Sequence, residues 1–92
     1  MKAIEALKQI NAIFSEYVAI AKDRDGNICV YNTFHLKIDS SENMWCLKFS
    51  DDDYKDVSNS FAKQIEWDSD DWTKCIATLN DIENEMQGKS KV

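Results

Sequence analysis

Residues 28–38 read Ile-Cys-Val-Tyr-Asn-Thr-Phe-His-Leu-Lys-Ile and limit the fold more than any other stretch. The run is long for a strand and rich in β-branched and aromatic residues. Ile28, Val30, Phe34, Leu36 and Ile38 share one parity, broken only by Asn32. Side chains alternate across a strand, so these residues line one face of a central strand. The rest of the chain must pair with that strand or pack on it.

Upstream, Ala3, Leu7, Ile10 and Phe14 recur at helical spacing, with Ile4, Ala6 and Ile13 widening the stripe. This predicts an amphipathic helix over residues 2–15. The spacing also allows the helix to run on to Lys22. The turn Asp23-Arg24-Asp25-Gly26-Asn27 favours a strand at residues 17–23 instead, since Gly26 suits the left-handed position of a three-residue hairpin loop with a bulge. Ser40-Ser41-Glu42-Asn43 makes the next turn, and residues 44–49 the third strand of an antiparallel meander. The core face carries Val18, Ile20, Ile28, Val30, Phe34, Leu36, Ile38, Trp45, Leu47 and Phe49. The other carries Tyr17, Ala19, Ala21, Cys29, Tyr31, Thr33, His35, Met44 and Cys46; Tyr17, Tyr31, Met44 and Cys46 are too apolar for open water, so a helix should cover part of this face or a second copy should.

Ser50 before Asp51, Asp52 and Asp53 reads as a helix start, with Tyr54, Val57, Phe61 and Ile65 as its buried stripe. Residues 68–71, Asp-Ser-Asp-Asp, repeat the signal. Trp72, Cys75, Ile76, Leu79, Ile82 and Met86 then form a third helix, stopped by Gly88, and residues 89–92 should fray. The expected fold is α+β in one domain over residues 1–92: an N-terminal helix, a three-stranded antiparallel meander and two C-terminal acidic helices (α-β-β-β-α-α).

Ninety-two residues allow one modest core, and 43% hydrophobic content argues against general disorder. No apolar run is long enough to span a membrane, and the start lacks the layout of a signal peptide. Cys29, Cys46 and Cys75 are an odd, widely spaced set, which fits free thiols in a cytoplasmic protein and no zinc site. Of the net charge of −6, residues 1–48 contribute nothing (six Lys/Arg, six Asp/Glu) and residues 49–92 all of it (five against eleven). Direct nucleic-acid binding needs a basic footprint and is not expected; a basic protein partner is.

For catalysis, His35 is the single histidine and has no placed partner, and no phosphate loop or nucleophile motif occurs. Asp23-x-Asp25-Gly26 lacks the first and last ligands of a calcium loop, where Ala21 and Asn32 stand. Neither enzyme chemistry, cofactor nor metal is expected. The acids are the stronger signal. On helices, Asp52/Asp56 and Asp81/Glu85 are like-charge pairs at i,i+4, each costing roughly 0.2–0.5 kcal/mol. Stability alone would not select them. Asp52, Asp56, Asp70, Asp71, Asp81 and Glu85, with Trp67 between two helices as either a packed hinge residue or an anchor, are the candidate partner-binding residues.

That order of elements, with the acids from Asp51 through Glu85, resembles small phage-encoded inhibitors of bacterial defence, including anti-CRISPR proteins that act as DNA mimics. The resemblance covers architecture and charge and carries over no single residue. It implies a non-enzymatic inhibitor in the bacterial cytoplasm that blocks the nucleic-acid-binding surface of a nuclease or surveillance complex. An immunity protein or antitoxin against a nuclease toxin, and a homodimeric structural or assembly module, are the alternatives.

Overall fold

The computed structural model describes residues 1–49 and 51–79. Helix α1 spans Ala3–Ile13 and buries Ala3, Ala6 and Leu7, three positions on one stripe. Asn11 ends it: its side-chain amide donates to the carbonyls of Ser15 (3.0 Å) and Tyr17 (2.9 Å), turning the chain into a strand. The expected helix and the strand after it both form, although Ile13 is 76% exposed rather than part of the buried stripe.

Strands β1 (Ala19–Lys22) and β2 (Ile28–Tyr31) make the expected hairpin. Gly26 takes φ +92°, its N–H bonds the Asp23 carbonyl (3.0 Å), and the Asp23 N–H bonds the Asn27 carbonyl (2.8 Å). That is the three-residue loop with a left-handed glycine.

The meander does not form, because the long central strand breaks after Tyr31 at Asn32. Strand β3 (Leu36–Asp39) pairs only with β4 (Met44–Leu47), as a separate two-stranded hairpin. The other neighbour of β2 is β5 (Tyr54–Asp56). The Asn32 carboxamide oxygen accepts the Asp53 N–H at 2.8 Å, and the Asn32 N–H bonds the Asp53 carbonyl at 3.1 Å. The residue that interrupts the apolar row is therefore the one that pins a different strand to β2.

The two acidic helices do not form as expected either. Residues 51–53 lead into β5, which is exposed along its length, and only one helical turn follows, α2 (Asn59–Ala62). After residues 68–71 comes a 3₁₀ turn (Trp72–Lys74) and then β6 (Ile76–Thr78), not a helix. Backbone pairing explains both corrections. Buried N–H and C=O groups must find partners, and β1 and β2 each have one edge left after pairing with each other. Strand β6 fills the β1 edge, with Lys22 N–H bonded to the Cys75 carbonyl (2.9 Å) and Leu79 N–H to the Val18 carbonyl (3.0 Å). The four-stranded sheet runs β5-β2-β1-β6, all antiparallel. Among the described residues α1 is the one helix longer than a single turn. Ile82, Met86, Gly88 and residues 89–92 lie outside the described residues.

Each sheet face has its own core. Ile20, Ile28 and Val30 pack against Ala6 and Leu7 of α1, joined by Tyr17 and Ile65. Full burial of a side chain such as Leu7 or Ile20 contributes about 1.5–3 kcal/mol. On the other face Ala19, Ala21, Cys29 and Tyr31 pack against Trp45 of the β3–β4 hairpin. The alanines, unusual in a strand, leave room for that indole. The second apolar face is thus covered from within the chain. Tyr17 and Tyr31 are both buried and belong to different cores, Met44 is exposed and Cys46 half-buried, so these four do not make one open face for a second copy.

Candidate protein-binding surface

The strand registers place the acids. Asp53 pairs with Asn32 where β2 ends, whereas Asp56 pairs with Cys29 near where β2 begins. In an extended chain Asp52 and Asp56 are about 13 Å apart, not the ~6 Å of helix neighbours, so the phosphate-like spacing expected of them is absent. Residues 51–53 stand at one end of the sheet, beside Tyr17, whose hydroxyl is pushed up first by burial and then by Asp53 and Glu16.

The opposite end gathers acids from separate segments. The β1–β2 turn brings Asp23 and Asp25. The β3–β4 turn brings Glu42, held there by the Arg24 N–H on the Asn43 carbonyl (3.2 Å). Strand β5 brings Asp56, to which the Asn27 amide donates at 3.3 Å. The loop before the 3₁₀ turn brings Asp70 and Asp71, which both act on Cys75 beside Lys22. Against these six carboxylates stand Lys22, Arg24 and Lys74.

Two of the acids also hold the fold. Asp23 is 5% exposed and its Oδ1 accepts the Trp45 N–H at 2.7 Å, tying the hairpin to the sheet. Burial raises its carboxyl above the ordinary value, partly offset by that bond. Asp71 caps the 3₁₀ turn, accepting from the Thr73 N–H (3.0 Å) and hydroxyl (2.6 Å), which lowers its carboxyl. Asp56 accepts from the Cys29 thiol (3.0 Å) as well as Asn27, and both bonds lower it. Glu42 and Asp70 are exposed.

Of the residues singled out from the sequence, Asp56, Asp70 and Asp71 come together at this end. Asp52 does not, and Asp81 and Glu85 lie outside the described residues. Trp67 is half-buried against the α1 core, with Lys22 Nζ 5.9 Å from its ring and its buried Nε1 without a hydrogen-bond partner among the described residues. Asp23, Asp25 and Glu42 were missed. They read as turn residues, and only the pairing of β5 with β2 and of β6 with β1, with the β3–β4 hairpin laid over the sheet, brings them to the same end as Asp56 and Asp70.

Among the described residues no group of three His, Cys, Asp or Glu is placed to hold a metal ion, and no helix is long and apolar enough to cross a membrane. His35 lies exposed, edge-on to the Phe49 ring at 5.5 Å. Compared with protein-family models, curated proteins and solved structures, the chain matches none.

Proposed function

We propose that this chain is a non-enzymatic, acidic binding module that covers a basic, nucleic-acid-binding surface of a partner protein, as phage-encoded inhibitors of bacterial defence do in the host cytoplasm. One observation carries the reading: acids from four separate segments converge at the turn end of the sheet. Two of them, Glu42 and Asp70, make none of the turn, cap or strand contacts that occupy Asp23, Asp56 and Asp71. Like charges gathered without structural need weaken the fold slightly and draw a positively charged partner. Support for a non-catalytic role comes from Cys29, whose thiol burial and the Asp56 carboxylate push up to about 12, far from a reactive thiolate.

The test is capture of the partner from host lysate, its identification by mass spectrometry, and surface plasmon resonance at low and high salt. Reversing Glu42 and Asp70 to Lys should leave stability within about 0.5 kcal/mol. Association should slow by about tenfold or more at low salt, and the difference should shrink at high salt. The same reversal of Asp51 and Asp52 at the other end should have a much smaller effect. Equal effects at both ends, or none at either, would rule out this surface.

A further inference from the structure

Between the four-stranded sheet and the β3–β4 hairpin lies a cavity of about 250 Å³. Tyr31, Trp45 and Tyr54 supply its aromatic wall, and Asp23 and Asp56 its carboxylates. The Tyr31 and Tyr54 ring centroids are 6.1 Å apart and tilted by 33°. The wall is fixed in place: Tyr31 is 2% exposed, Trp45 8%, and the Trp45 Nε1–H donates to the Trp72 carbonyl at 3.2 Å. Tyr54, half-exposed, forms the lip. Among the described residues no lysine, arginine or histidine lines this space.

The groups inside report its potential. Burial, then Asp56 and Asp23, holds the proton on the Cys29 thiol. The Tyr31 hydroxyl is raised by burial and, among other groups, by Asp23. Burial, the larger cause, opposes charge of either sign; the share contributed by Asp56 and Asp23 is the part that favours a cation. Aromatic rings add to this, because a cation within about 6 Å of a ring centroid is attracted by its quadrupole. A space this small keeps any occupant against at least one of the three rings. With no three-ligand group for a metal ion among the described residues, the fitting cation is an organic one.

We infer that this cavity binds the cationic end of an arginine or lysine side chain presented by a basic partner. It rests on the proposed function for the identity of the partner, though not for the chemistry of the site. Asp56 is the charge partner at the mouth, Tyr54 closes over the inserted group, and Tyr31 and Trp45 form the back wall.

The experiment titrates isotope-labelled protein with N-acetyl-arginine amide, N-acetyl-lysine amide and the neutral N-acetyl-citrulline amide, following by NMR the amides of Cys29 and Tyr31 and the Trp45 Nε1–H. Saturable shifts from the arginine or the lysine probe, with none from citrulline, are expected, and the two arms separate guanidinium from ammonium. Asp56→Asn, which keeps an oxygen to accept the Cys29 thiol, and Tyr54→Ala, at a half-exposed position, should each weaken the probe by about 3- to 30-fold. Asp52→Asn, at the other end of the sheet, should not. The rest of the spectrum verifies that each variant is folded. Equal shifts from citrulline, no saturable shift from any probe, or unchanged binding by Asp56→Asn would overturn the inference. If the probes fail while Glu42 and Asp70 reversals still weaken partner binding, the cavity assignment falls and the acidic surface stands. If the probes bind while those reversals do nothing, the opposite holds.

Discussion

Gly26 sits at φ +92°, and a Cβ built there would meet nothing within 4 Å. The conformation is therefore what requires glycine, not crowding. Gly26→Ala should lower stability by about 1–2 kcal/mol, the cost of a left-handed backbone for an L-residue, in urea denaturation. Cys29 is the second residue whose environment makes a measurable difference. Its thiol ionises near 12 in the folded protein against an ordinary 9.0. The folded state thus holds a proton that the unfolded chain releases, so this stabilisation is complete below pH 9 and is lost as pH rises toward 12. Tyr31, raised above its ordinary 10.0, acts in the same direction. Unfolding free energy should fall through this alkaline window, and Cys29→Ala should flatten the fall. A wild-type stability that stays level through it would contradict the burial of both groups.

At the scale of elements, the break between β2 and β3 decides the architecture. Asn32 holds β5 through its side chain as well as its backbone. Asn32→Ala removes one of those bonds and should cost about 0.5–1.5 kcal/mol. The loss should be local: amides of Asp53 and Tyr54 exchange faster with deuterium while those of Cys29 and Tyr31 stay protected. Equal loss of protection across the sheet would mean that β5 is not a separable edge. The parity of residues 28–38 was visible in the sequence, and so was its interruption. What the pattern did not contain was the consequence, since a polar residue within an apolar strand reads the same whether the strand continues or its partner changes. The helical spacing of residues 72–79 misled for a related reason. Ile76 faces the Trp45 core while Ala77 and Leu79 face α1, so a strand buried on both faces is apolar at successive positions and matches a helical stripe by chance.

At the scale of the whole molecule, the described residues set six carboxylates against Lys22, Arg24 and Lys74 at the turn end of the sheet. Repulsion at the turn end should make stability rise when salt is added at neutral pH, as screening shortens the reach of those charges to about 10 Å at 0.1 M. Thermal unfolding should show a higher midpoint at moderate than at low salt, and Glu42→Lys with Asp70→Lys should reduce that gain. No change with salt in the wild type would mean that the acids are too far apart to interact.

The first helix and the turn at Gly26 were legible in residues 3–31, because periodicity and a left-handed glycine act within a few residues of themselves, and that turn favoured the β1–β2 hairpin over a helix running on to Lys22. The acidity was equally legible, and so was the need to cover a second apolar face. Which element covers it, which strands take the free edges of β1 and β2, and which acids become neighbours were decided only in three dimensions. Those outcomes depend on unpaired backbone edges competing for distant segments, and pairing between residues as far apart as Ala19 and Thr78 leaves no local mark on either.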